Sequence, residues 1–131
     1  MQTIRTNEQI MAEVRELVSQ AAHVFDSDID IHCEATSRNG TDDVLAYHYH
    51  HLTTAQMLKW QILDLSYEFT LRCKPHHVPP RIFGRLAAIR SMVVKMGEEF
   101  PASRMIADRL LSQANDRLNY LSVSMEAEHV F

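Results

Sequence analysis

Eight of the 131 residues are histidine, and five of them fall into two tight groups: His48, His50 and His51, then His76 and His77. Imidazole changes charge near neutral pH and is a common metal ligand. Strand side chains alternate between faces, so on a strand His48 and His50 share a side and form a candidate pair of metal ligands. His32, Asp30 or Glu34 is a candidate third ligand. Zinc accepts such a mixture of nitrogen and oxygen, and the set points to metal-dependent hydrolysis. Neither Cys-x-x-Cys nor His-Glu-x-x-His spacing reinforces it. Histidines beside tyrosines on a half-exposed strand serve equally well as surface or interface residues, so the expectation is a chain with no resident cofactor.

The second chemistry is anion binding. Between Arg72 and Lys95 stand Arg72, Lys74, Arg81, Arg85, Arg90 and Lys95, with no acid among them. Of these, Arg72, Lys74, Arg81, Arg85 and Lys95 are the candidate contacts to nucleic acid. Arginine outnumbers lysine ten to three, and a guanidinium is the better fork for carboxylate or phosphate. The net charge, however, is −4. Residues 1–70 carry 4 basic and 11 acidic side chains, and residues 71–131 carry 9 and 6. A basic half lying against an acidic half, within one molecule or a dimer, accounts for this pattern, and nucleic-acid modules are usually basic overall.

Within that segment, Arg72 is followed by His77 after four intervening residues. The spacing resembles the ribonuclease motif of the HEPN family over these six residues. The resemblance implies a dimer that cleaves RNA, with Arg72 holding phosphate and His77 moving a proton. Cys73, at a position usually polar, and Pro75, in a stretch helical in that family, depart from the motif.

Other constellations fail on spacing. Asp26, Asp28 and Asp30 begin like a calcium loop, but Ile31 stands where glycine is required and Ser37 where glutamate is. Glycines at 40, 84 and 97 cannot build a phosphate loop. Glu126 and His129 alone have the Glu-x-x-His spacing of a diiron bundle. Cys73 has basic neighbours that would favour its thiolate, but its place at the end of an apolar helix predicts a buried, inert thiol. Cys33 falls on the apolar side of an expected strand and reads the same way. No catalytic residue is assigned.

The elements that must position these residues are mostly helical. Few glycines and prolines disfavour a barrel or sandwich. Thr6 with Gln9 makes a capping box for a helix over about residues 7–25, whose apolar face is Ile10, Val14, Leu17, Val18, Ala21 and Phe25. Ile29, Ile31, Cys33 and Ala35 then alternate with polar residues, Asn39-Gly40 is a hairpin turn, and Leu45, Tyr47 and Tyr49 alternate again. This predicts a β-hairpin over about 29–50. A rival helical register runs through Val44, Tyr47, His48, His51, Ala55, Leu58, Ile62, Leu65 and Phe69, with a start near Asp43.

From Thr53 the second helix is plain, with Thr53 and Gln56 as a capping box. One row is Leu58, Ile62, Leu65 and Phe69; a second is Trp60, Leu63, Tyr67 and Leu71. Two rows predict a central helix covered on more than one side. After a stiff connector through Pro75 and Pro79, Pro80 opens a third helix that ends near Gly97, and Pro101 or Ser103 opens a fourth. Residues 125–131 are expected to fray.

The expected architecture is therefore mainly α: a four-helix, bundle-like single domain with a short β-hairpin between helices 1 and 2, or an all-α variant of it. The expected function is a non-catalytic, intracellular protein-binding domain, adaptor or regulatory, acting as a homodimer. Tyr47, Tyr49 and Trp60 are its interface candidates, being residue types that anchor interfaces. No signal-peptide core and no membrane span are legible, so a cytoplasmic setting is expected. Nucleic-acid binding or RNA cleavage through the 72–95 segment is the alternative, and a histidine-based metal hydrolase the third reading.

Overall fold

The computed structural model describes residues 5–38, 40–95 and 99–130, with side chains as far as Val123. The described residues form five helices: α1 (Asn7–His23), α2 (Asp26–Thr36), α3 (Asp42–Arg72), α4 (Pro80–Lys95) and α5 (Pro101–Val130). They contain no strand, only an isolated bridge between Lys74 and His77. The fold is mainly helical, and the expected β-hairpin is replaced by helix on both arms. Asn39, at its expected turn, and Gly97, at the expected end of the third helix, lie outside the described residues.

The N-terminal helix forms as its caps dictate. Thr6 Oγ1 accepts from Gln9 N at 3.2 Å while Gln9 Oε1 accepts from Thr6 N at 2.8 Å. This reciprocal pair satisfies two of the amides that a helix start leaves open.

The hairpin fails for an identifiable reason. Period two treats His32 as polar and outward. A period near 3.6 instead runs Phe25, Ile29, His32 and Thr36, all at least partly buried, as are Asp26, Asp28 and Ala35. An imidazole has an apolar body, so it completes a helical face as readily as it interrupts a strand. Ile31 and Cys33, two members of the alternation, are exposed. Cys33 is thus not the buried thiol expected. Asp26 and Asp28 lie in the first turn of α2, where the helix dipole favours negative charge.

The rival register is the one the structure adopts. α3 begins at Asp42, takes in the second arm, and runs 31 residues, about 46 Å at 1.5 Å per residue. Thr53 lies in its interior rather than at a cap. The row Leu58, Ile62, Leu65 and Phe69 is buried. In the second row, Leu63 packs against the core, but Trp60, Tyr67 and Leu71 are 67%, 70% and 66% exposed. The helix is covered on one side only.

The core is one cluster drawn chiefly from four helices. Val14, Val18 and Ala21 of α1 meet the buried row of α3, Ile82, Leu86, Ile89 and Val93 of α4, and Ala107, Leu111, Ala114, Leu118 and Leu121 of α5. α1 packs on α5 and α3, and α4 on α5 and α3. α2 contributes no buried residue and packs on α3. The expected stiff connector is a tight turn, closed by Lys74 N to His77 O at 2.8 Å and His77 N to Lys74 O at 3.0 Å. α5 starts at Pro101, as its proline signals, and spans Pro101–Val130. Phe100, just before it, has φ 51, a left-handed conformation that bulky residues rarely take. Its ring is buried edge-on to Phe25 at 6.3 Å.

Candidate functional site

Helix geometry redistributes the histidines. Two residues on a helix are about 200° apart, so His48 and His50 sit on opposite sides of α3, not on one side as the strand reading required. His48 and His51, three apart, share a face. Against that face α2 sets His32. His32 Nδ1 lies 2.9 Å from His48 Nδ1, and the His32 and His51 rings are 5.1 Å apart at their centroids. Tyr47 stacks on His51 at 4.1 Å, and Phe100 closes the group from below, 6.0 Å from His32 and 5.7 Å from His51.

Hydrogen bonds fix the protons. The Tyr47 carbonyl only accepts, so His51 Nδ1, at 2.9 Å, must be the donor. Between His32 and His48 one Nδ1 donates and the other accepts, and a single proton serves both. Burial holds the His32 pKa below its ordinary value, the charges His51 and His48 would carry lower it further, and Asp28 opposes this. Asp28 is itself held by Ser103 Oγ at 2.6 Å. Bordering the group, His50, its ring 5.5 Å from that of His51, meets Glu99 Oε1 through Nε2 at 3.0 Å. Asp30 and Glu34, the other candidate ligands, are exposed on α2. No group of three metal-ligating side chains converges among the described residues.

The outer face of α3 is the second feature. Tyr49, Trp60, Tyr67 and Leu71 are all exposed. At 100° per residue they fall within about 40° of one line, directly opposite the buried row. Tyr47, the third expected interface residue, is also exposed, but it belongs to the imidazole group rather than to this line.

The basic segment meets the acidic half of the chain inside the molecule. Arg81 Nη2 donates to Glu68 Oε1 at 2.6 Å. Arg85 reaches Asp64 Oδ2 at 3.0 Å and Glu68 Oε2 at 2.9 Å. Burial works to raise the Glu68 pKa, but the guanidiniums of Arg85, Arg81 and Arg72 outweigh it and hold the carboxyl low. Farther along, Arg117 Nε meets Glu13 Oε2 at 2.8 Å across 104 residues. Arg72, Lys74 and Lys95 are exposed on the surface. Arg72 ends α3, and His77 stands in the bridged turn.

Cys73 is fully buried, as its place at a helix end predicted, and burial pushes its thiol up to about 11. A shallow cleft of about 460 Å³ between the start of α1 and α5 is lined by Arg5, Ile10, Asp116, Arg117 and Tyr120. Both of its guanidiniums are bound to Glu13. No described helix is long and apolar enough to cross a membrane. Comparison with protein families, curated proteins and solved structures finds no match to this chain.

Sequence reasoning named every imidazole of the cluster except in its true grouping. The signal was present in the helical register through Tyr47, His48 and His51.

Proposed function

We propose that the protein is a non-catalytic protein-binding module, adaptor or regulatory in kind, that acts as a homodimer with two α3 helices crossing antiparallel. The observation that carries this reading is the exposed line of Tyr49, Trp60, Tyr67 and Leu71 opposite the buried row of α3. Large aromatic side chains aligned on one exposed helix face are the usual anchors of an interface.

A second copy is the occupant this surface suits. Trp60 stands eleven residues from both Tyr49 and Leu71. An antiparallel crossing at Trp60 therefore sets Tyr49 of one copy against Leu71 of the other, twice, as a two-fold contact requires. Charge favours the same orientation. α3 begins with exposed Asp42 and Asp43 and ends with exposed Arg72 and, just beyond, Lys74. Antiparallel pairing brings opposite signs together; parallel pairing brings like signs together. Two free thiols, one of them exposed, suit a reducing compartment and support a cytoplasmic setting.

The nucleic-acid reading draws less support, because Arg81 and Arg85 already hold Glu68 and Asp64. The metal-hydrolase reading loses its premise with the strand that paired His48 and His50.

Sedimentation equilibrium of the full chain tests the proposal. The expected result is a dimer at micromolar concentration. Trp60→Glu should raise the dissociation constant by roughly 30-fold or more, since an anchor of this kind is worth about 2 kcal/mol or above. It should leave the helical circular dichroism unchanged, because Trp60 is exposed. A monomer at 100 micromolar, or a Trp60→Glu protein that still pairs, would sink the reading.

A further inference from the structure

We infer that His32, His48 and His51 form a proton-operated latch that holds α2 against α3 at neutral pH and releases it in mild acid. The inference does not depend on the outer face of α3.

α2 is tied to the molecule chiefly through its packing on α3. No residue within it is buried, and its start has no side-chain cap. Its first turn is anchored by Phe25 just ahead of it, by Lys59 on Asp26 and by Ser103 on Asp28. Ile29 is its one apolar side chain packed against the core. Beyond Ile29, its partly buried residues are His32, Ala35 and Thr36, and the ring of His32 rests on His48, His51 and Tyr47 of α3.

That contact tolerates few protons. At 2.9 Å, two Nδ1 atoms can share one proton but cannot each carry one facing the other. His51 already uses its Nδ1 proton on the Tyr47 carbonyl, so further protonation puts its charge on Nε2 within the same group. The charged and titratable groups facing His32 are Asp28 from α2 itself and Tyr47, His48 and His51 from α3. The buried Phe100 ring closes the side toward α5. Asp28 is the only acid among them, and Ser103 already occupies one of its oxygens. Glu99 is held by His50, whose ring lies 5.5 Å from that of His51, so its charge stands at the edge of the group and not beside His32. Two or three imidazolium ions would therefore meet one carboxylate at His32, already bonded to Ser103, and a second already bonded to His50.

The sign follows. His32 is harder to protonate in the closed state than its ordinary value of 6.5. An opened α2 binds protons that the closed state refuses, so opening is favoured as pH falls below about 6.5. Each pKa unit of displacement changes the open-to-closed ratio about tenfold.

Hydrogen exchange of the full chain, read by mass spectrometry over residues 26–36 and corrected for intrinsic rates, tests this. Between pH 7 and pH 5, protection of α2 should fall by about tenfold or more, toward that of an open helix, while the core amides of α1, α4 and α5 stay far better protected than α2. His32→Phe keeps a ring at the position and removes its proton, so its α2 should stay protected at pH 5. Unchanged protection of the wild-type α2, loss of all protection in every helix at pH 5, or the same acid loss in His32→Phe would overturn the latch.

Discussion

The two thiols show how one residue type takes opposite roles from its surroundings. Cys73 closes α3 inside the core, and burial raises its pKa to about 11. Cys33 stands in water on α2. The thiolate is the reactive form, so iodoacetamide at pH 8 should modify Cys33 and leave Cys73 untouched until the protein is unfolded. Peptide mass spectrometry reads the two separately, and equal rates in the native protein would contradict this placement. The sequence foretold Cys73, because the end of an apolar row is a core position in any register. It misplaced Cys33, because that residue's side depends on whether the local period is two or 3.6.

At the scale of the element, α3 and α4 are clamped by one carboxylate. Glu68 faces Arg81 and Arg85 and is largely shielded from water. Glu68→Gln removes the charge from both contacts and should cost about 1.5–3 kcal/mol, the range for hydrogen bonds to charged groups. A urea midpoint lowered at constant slope would show it; an unchanged midpoint would mean the clamp is idle. The helices themselves were legible where punctuation marks them. Thr6 and Gln9 fix the start of α1, Pro80 that of α4 and Pro101 that of α5. Between Asp26 and His51 the caps are weak: neither α2 nor α3 has a side-chain cap bond. There only the period was available, and short apolar runs satisfy both periods. Outside that stretch the helices were readable, though not the single-sided cover of α3 or the turn at Lys74–His77. The imidazole group, built across it, was readable only residue by residue.

At the scale of the whole molecule, two acid transitions should separate. The first is the opening of α2 below about pH 6.5, set by His32. The second belongs to carboxylates held below their ordinary values: Glu13 by Arg117 and Arg5, Asp26 chiefly by Lys59, and Glu68 by its guanidiniums. A depressed carboxylate stabilises the fold above its unfolded pKa and loses that contribution as pH falls through the folded one. Global stability, measured by urea melts, should thus lose only the His32 contribution between pH 7 and 5 and fall steeply below about 4.5, the ordinary value for glutamate. A steep fall already complete by pH 5 would merge the two transitions and contradict their separation. The pairing of α1 with α5 carries one more consequence. The Glu13–Arg117 contact joins residues 104 apart, and the buried face of α1 is covered by α3 and α5 together. During synthesis, the greasy side of α1 leaves the ribosome long before that cover is complete. The nascent chain must carry part of that surface bare until α5 emerges, which makes it a natural client for chaperones.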